Sequence, residues 1–289
     1  MLPLSGCPGH PARLVFAHDR EAARESEVPP GREDRPGRED RPVTELARLW
    51  DHLTATAPVL ATWLVLVTAA CALVIVISQG AWHVSRNVVT LAHEGGHAAV
   101  SLATGRRLDG IRLHSDTSGV TSSRGRSRGP GLILTTAAGY VTPSLLGLGA
   151  AGLLAARHAT FVLWLVLVLL AAAFVAIRNA YGVLAVLATA AVVFGVSHFG
   201  SAEAQELFAY LFSWFLLFGG VRPVFELQSR RRHGGTLASD ADQLALLTGV
   251  PGGAWVFLFA VLSLVALILG SYWLLPGLSH SLHAAQGHL

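Results

Sequence analysis

From about residue 58 to residue 275 the chain consists of apolar runs separated by short polar stretches. Seven runs stand out: about Pro58 to Ser78, Val88 to Thr104, Gly131 to Leu154, Thr160 to Ile177, Tyr181 to Val196, Leu207 to Val221 and Ala254 to Leu275. A helix needs about 20 apolar residues to cross a ~30 Å hydrocarbon core, so each run is read as a span. The third run is rich in Gly and Ala, which permits close helix packing in lipid and places it against the second. The fourth and fifth are plain aliphatic segments and read as lipid-facing scaffold. The sixth carries an aromatic stripe (Phe208, Tyr210, Phe212, Trp214, Phe215, Phe218) that reads as packing, and it ends at Gly219–Pro223. Between the second and third runs, Ile111, Leu113 and Val120 around Asp116–Gly119 predict a short β-hairpin within 108–123. A short apolar helix is expected from Leu244, before Pro251-Gly252-Gly253 breaks the pattern. The fold class is therefore an all-α polytopic membrane protein of about seven transmembrane helices, with a hairpin after the second.

The remaining segments divide the chain. Residues 1–42 are rich in Pro, Gly, Arg and Glu and repeat Gly31–Pro36 directly as Gly37–Pro42. Such a segment buries too little apolar surface to offset its ordering entropy, so a disordered charged tail is expected there. It lacks the apolar core of a signal peptide. A membrane-embedded domain follows over 43–278, opened by a short amphipathic helix to about His52, and 279–289 form a short tail. Trp82, between the first two runs, reads as an interfacial anchor.

Charge then sets orientation. The chain is 52% apolar and 13% charged, with a pI near 9.3, and all its basic residues other than histidine are arginine. This balance points away from nucleic acid, because the arginines of the apolar region sit in the loops flanking its runs. With seven spans, Arg48, the six arginines between Gly105 and Pro130, Arg178 and the four between Arg222 and Gly253 share one side, leaving Arg86 and Arg157 on the other. The positive-inside bias puts the amino terminus and the basic loops in the cytoplasm of a multi-pass cell-membrane protein. Cys7 and Cys71 make neither a disulfide framework nor a zinc knuckle.

The chemistry sits in the second run, as His93-Glu94-Gly95-Gly96-His97. On a helix, HExxH places two histidines on one face, where their imidazoles can hold one zinc ion, with the glutamate beside them as a general base for water. Ionisable groups are costly inside a membrane and mark function there. His97 lies nine residues before Arg106, roughly 13 Å along a helix from the polar boundary. A catalytic zinc usually takes a third protein ligand. His114, Asp116, His198, Asp240 and Asp242 are the candidates. The topology disfavours His198, and His114 and Asp116 suit a turn. Asp240 and Asp242 open the short late helix, where Ser239 and Asp240 also suit an N-cap.

Thr90–Ala98, Gly105-Arg106-Arg107 with Ser118–Thr121, Ala138–Ser144 and Ser239–Leu244 together resemble the site-2-protease family of intramembrane zinc metalloproteases, in particular its small bacterial branch without a PDZ insertion. The resemblance covers about 90 to 250. It implies a helical catalytic core with His93 and His97 as zinc ligands, Glu94 as general base and Asp240 as the third ligand, with Asp242 the alternative. Gly119, Val120, Tyr140 and Pro143 would position substrate. Better-known members carry an Asp-Gly pair preceded by an Asn/Pro motif, whereas Ala241 and Gln243 follow the two aspartates here. The implied reaction is hydrolysis of a peptide bond in or near a transmembrane segment of a client membrane protein, within the bilayer. The rival is a non-catalytic metal-binding scaffold of the same fold, and Glu94→Ala separates the two: a protease loses cleavage, a scaffold keeps its phenotype.

Overall fold

The structure, a computed structural model, describes Ala47 and residues 60–233 and 239–275. The charged tail over 1–42, the approach helix to His52 apart from Ala47, and the 279–289 tail lie outside the described residues. The elements are α1 (Thr62–Ile77), α2 (Gln79–Ala103), β1 (Arg107–Leu113), β2 (Gly119–Arg124), α3 (Pro130–Ala155), α4 (Ala159–Ala176), α5 (Ala180–Phe199), α6 (Ala202–Arg232), α7 (Asp240–Thr248) and α8 (Gly252–Leu274). Each of the seven apolar runs is a helix, and the hairpin and short late helix fall where the pattern places them.

The count of crossings differs from the expected seven. Among the described residues, five helices are long and apolar enough to cross a bilayer: α3, α4, α5, α6 and α8. The other two expected spans, α1 and α2, meet at a 99° bend across one residue, so at most they add one crossing, giving six. Ser78 takes an extended conformation there (φ −71°, ψ 123°), ending α1 and starting α2. Interactions from α6 stabilise the elbow. The Arg222 guanidinium donates to the Val76 carbonyl, one of those left open at the end of α1. Trp82 is buried rather than at an interface, and its indole Nε1 donates to Glu226 Oε1 at 3.1 Å. The interfacial-anchor reading of Trp82 is thus replaced by an internal one, because the bend folds its side chain against α6.

Arg86 changes sides for the same reason. It stands 3.4 Å from Glu226 on the last turns of α6, among the arginines of the basic end. Helix α6 runs past its apolar stretch to Arg232, straight through Pro223. Arg222 and Arg230, one turn either side of Glu226, extend the helix by i,i+4 pairing.

Packing divides into a buried frame and an outer rim. Helix α3 lies between α2, α6 and α8, and its small residues bring the backbones close. Helices α4 and α5 expose aliphatic side chains such as Val168, Val175 and Leu184, as lipid-facing elements do. The hairpin folds back along α2: Arg106 donates to the Arg126 carbonyl at 2.7 Å, and Thr90 to the Thr117 carbonyl at 2.9 Å. Its apolar face, Ile111 and Leu113, is fully buried. Strand β1 is secured on its outer edge by the α4–α5 turn, where Arg178 N–H donates to the Ile111 carbonyl and the Asn179 amide bonds both backbone groups of Leu113. A second apolar cluster of Val224, Leu227, Ala241, Leu244, Val256 and Phe259 seats α7 between α6 and α8.

At the α3–α6 crossing a Cβ added to Gly220 would stand 2.9 Å from the Ser144 backbone nitrogen. Helix propensity favours Ala over Gly by about 1 kcal/mol, while overpacking costs about 1–3 kcal/mol. Gly220→Ala should therefore lower the thermal unfolding midpoint in detergent, and a raised midpoint would contradict this crossing.

Candidate metal centre

Helix α2 presents His93 and His97 one turn apart on the side facing α3. Their Nε2 atoms are 3.1 Å from each other. The third corner comes from α7: Asp240 Oδ2 lies 3.2 Å from the Nε2 of each histidine. This oxygen is buried and makes no hydrogen bond of good geometry to either ring. Three donors thus converge on one point. In a tetrahedral zinc site with bonds of about 2.0–2.1 Å, neighbouring donors are about 3.3 Å apart, close to the spacing found here. Among the described residues this is the one group of His, Cys, Asp or Glu with metal-holding geometry.

Neighbouring groups set the orientation of each donor. His97 Nδ1 donates to the Thr135 carbonyl of α3 at 2.7 Å, which leaves the Nε2 lone pair facing the other two donors. Backbone of α3 comes close enough only because residue 139 is glycine; a Cβ there would stand 2.6 Å from His93 Nε2. The Tyr140 ring packs edge-on to His93, centroids 4.7 Å apart, and stacks on Phe259 of α8.

Asp240 and Asp242, equivalent candidates by sequence, do different jobs. Asp242 closes a capping box with Ser239, its Oδ2 accepting from the Ser239 hydroxyl at 2.5 Å, and pairs with Arg231. Partial burial would raise the Asp242 carboxyl, but the Ser239 hydroxyl and Arg231 guanidinium hold it below its ordinary range. The cap falls to Asp242 and Ser239, and Asp240 is left to face the histidines. His114 and Asp116 belong to the hairpin turn, where Asp116 Oδ1 accepts from the Ser118 hydroxyl at 2.6 Å. His198 lies at the end of α5, stacked on Phe194.

Glu94 is buried next to His93. Its Oε2 accepts from the Thr121 hydroxyl of β2 at 2.7 Å, while the Oε1 side abuts Gly119, where a Cβ would stand 2.6 Å from Oε1. A cavity of about 170 Å³ opens beside His93 and Glu94. Its walls include the hairpin turn (Thr117, Ser118, Gly119), Tyr140, Pro143, Pro223, Arg86 and Arg230. Of the residues expected to position substrate, Gly119, Tyr140 and Pro143 line this cavity. Val120 is exposed on the opposite face of β2, as strand alternation requires. Sequence reasoning passed over Thr121, the Thr135 carbonyl, Gly139, Arg86 and Arg230. Thr121 and Gly139 left a signal there, since both fall in segments that carry the family resemblance, and Thr121 is two positions from Gly119 and so on the same strand face.

A buried HExxH face closed by an aspartate, in a bundle of five or six apolar crossings, defines a multi-pass membrane protein with a metallopeptidase-type centre. A model of the Peptidase M50B-like family matches residues 66–270, and the chain belongs to this family, a site-2-protease-type family. No curated protein matches the chain, and no solved structure does.

The two aspartates separate experimentally. Asp240→Ala should reduce metal affinity by at least about tenfold. Asp242→Ala should retain the metal and lose about 1 kcal/mol of stability through the cap. Metal content by mass spectrometry and thermal melts read both; equal metal loss in the two variants would remove the distinction.

Proposed function

We propose that this protein is a zinc-dependent intramembrane endopeptidase that hydrolyses a peptide bond in or near a transmembrane segment of a client membrane protein. The observation that carries the reading is the convergence of His93, His97 and Asp240 with Glu94 buried beside them. Two imidazoles and one carboxylate are the donor set of a catalytic zinc, which leaves a coordination position open. Zinc held there would act as a Lewis acid on the scissile carbonyl and make water a nucleophile near neutral pH. By the positive-inside rule, the basic end, with the hairpin and the cavity mouth, faces the cytoplasm.

The chain's own residues set up the proton transfer. Thr121 fixes one oxygen of Glu94 by donating to Oε2, so Oε1, beside Gly119, is the atom placed to take the proton from water and pass it on to the leaving amine. Glycine at 119 leaves the space in which water and substrate reach Oε1. Tyr140 and Pro143 form the opposite wall and confine the scissile segment.

A client helix must open into an extended strand before its backbone can be cut, and β2 offers that strand a partner. Ile111 and Leu113 of β1 turn their backbone groups outward, to Arg178 and Asn179. Their cross-strand partners Thr121 and Gly119 therefore direct N–H and C=O toward the other edge. No further strand pairs with β2 among the described residues. A client strand bonded there would run alongside Glu94, with Val120 on the outer face.

Glu94→Gln in zinc-loaded full-length protein should lower cleavage of quenched transmembrane peptides by about 10²–10⁴-fold while zinc content is unchanged. Cleavage at the wild-type rate by this variant would overturn the peptidase reading. Gly119→Val, made in zinc-replete protein, should lower cleavage and leave zinc in place. Unchanged cleavage would remove the hairpin from substrate binding.

A further inference from the structure

Beside the elbow, the first turns of α2 and the last turns of α6 flank a second, widely open cavity of about 510 Å³, with Trp82, Arg86, Arg222, Glu226 and Arg230 on its walls. Glu226 is the one carboxylate on those walls, facing three guanidinium groups. Its Oε1 accepts from Trp82 Nε1 at 3.1 Å and from Arg222 Nε at 2.8 Å. Arg222 is anchored on several sides, because its guanidinium also lies 4.7 Å from the centroid of the Trp82 ring and donates to the Val76 carbonyl. Arg86 and Arg230 are not. They share the remaining oxygen, Oε2, at 3.4 Å and 3.9 Å, beyond the ~2.7–2.9 Å of a charge-assisted hydrogen bond. Each guanidinium has five N–H donors, so most of theirs are unspent. One carboxylate against three arginines leaves a local excess of positive charge.

Arg86 and Arg230 are also the two arginines on the wall of the cavity that holds His93 and Glu94. We propose that they form a subsite for an acidic side chain, Asp or Glu, of the client segment, an assignment that rests on the endopeptidase reading. A guanidinium pair with free donors suits a carboxylate, which can be held in fork-to-fork geometry. A carboxylate carried by the client strand is favoured over a lipid phosphate, because the two arginines open on the cavity through which that strand must pass. Spacing sets the position of the acid. Arg86 precedes His93 by seven residues, about 10.5 Å along α2, and an extended strand covers about 3.3 Å per residue. The acid therefore falls about three residues from the scissile bond. Arg222 and Glu226 shape the subsite without binding the client: Glu226, bonded to Trp82 and Arg222, draws the two guanidinium groups to one point at its Oε2.

The test uses full-length, zinc-loaded protein carrying Glu94→Gln, so that binding is read without turnover. Fluorescent transmembrane peptides with a single Glu walked along an otherwise uncharged sequence are compared by anisotropy with their Gln counterparts. The expected result is one window of positions where Glu binds about tenfold more tightly than Gln, flattened to near parity by adding Arg86→Gln and Arg230→Gln. Unchanged zinc content and melting temperature show that the variant is folded. Should the double change unfold it, Arg230→Gln alone, at a side chain 64% exposed, should still remove about threefold of the preference. Absence of any Glu window, or a window that survives both substitutions, overturns the proposal. So does loss of binding to phosphatidylglycerol vesicles without any change in peptide preference, which would make the cluster a lipid-headgroup site. If the window is present but the unsubstituted protein cleaves none of the peptides, the acid subsite stands and the endopeptidase reading falls.

Discussion

The meeting of one carboxylate with two imidazoles at the centre of an apolar bundle is the constraint that the rest of the structure serves. Removing a carboxylate from water is costly, and holding it 3.2 Å from two ring nitrogens without hydrogen-bond geometry leaves that cost unrelieved. A divalent cation would supply the missing compensation, being the largest local charge such a site can hold. The three donors come from elements distant in sequence, so their convergence depends on how α3 separates and orients α2 and α7. Glycine at 139 lets α3 press against both imidazoles, and the Thr135 carbonyl sets the protonation of one of them. Apolar contacts from Ala241 and Leu244 seat α7, while Ser239, Asp242 and Arg231 fix its first turn. Asp240 is held in place by neighbours that have no chemistry of their own.

The hairpin lies on the other side of the same face and serves Glu94. Without β2, the glutamate would be a buried carboxylate with no hydroxyl to orient it. Thr121 supplies that hydroxyl, and Gly119 supplies room. The two are neighbours on one strand face because of the two-residue repeat. The same geometry turns their backbone groups toward the open edge. The strand that orients Glu94 and the strand with the open edge are therefore one element, β2, seen from two directions. The α4–α5 turn, otherwise part of a lipid-facing pair, contributes by occupying the opposite edge of β1, so that only β2 is left to pair.

The elbow between α1 and α2 has a comparable double role. A 99° bend exposes backbone carbonyls at the end of α1 and brings an indole and two helix ends together. Burial of Trp82 and the arginine–glutamate cluster satisfies these groups, and the same cluster carries positive charge to the cavity beside His93 and Glu94. The bend also brings Arg86 to the basic end. Among the described residues of the bundle, Arg157, in the α3–α4 turn, is then the arginine at the opposite end.

Local pattern was enough to locate the seven apolar helices, the hairpin, the short late helix and HExxH, because each depends on periodicity or spacing within a few residues. The same is true of the hairpin turn, where Asp116 and Ser118 bond one another as such residues do in turns. Pattern did not reveal the bend at Ser78, since a residue between two apolar helices looks the same whether they continue, reverse or turn aside. It read Trp82 as an anchor because burial depends on what α6 brings from 144 residues away. Only the tertiary structure assigned Asp240 and Asp242 different partners, because two acids in the first turn of one helix point in different directions, and what each meets is decided by the elements packed around it. A helix or a motif is a property of neighbouring residues in the chain, whereas a metal centre is a property of atoms made neighbours by packing.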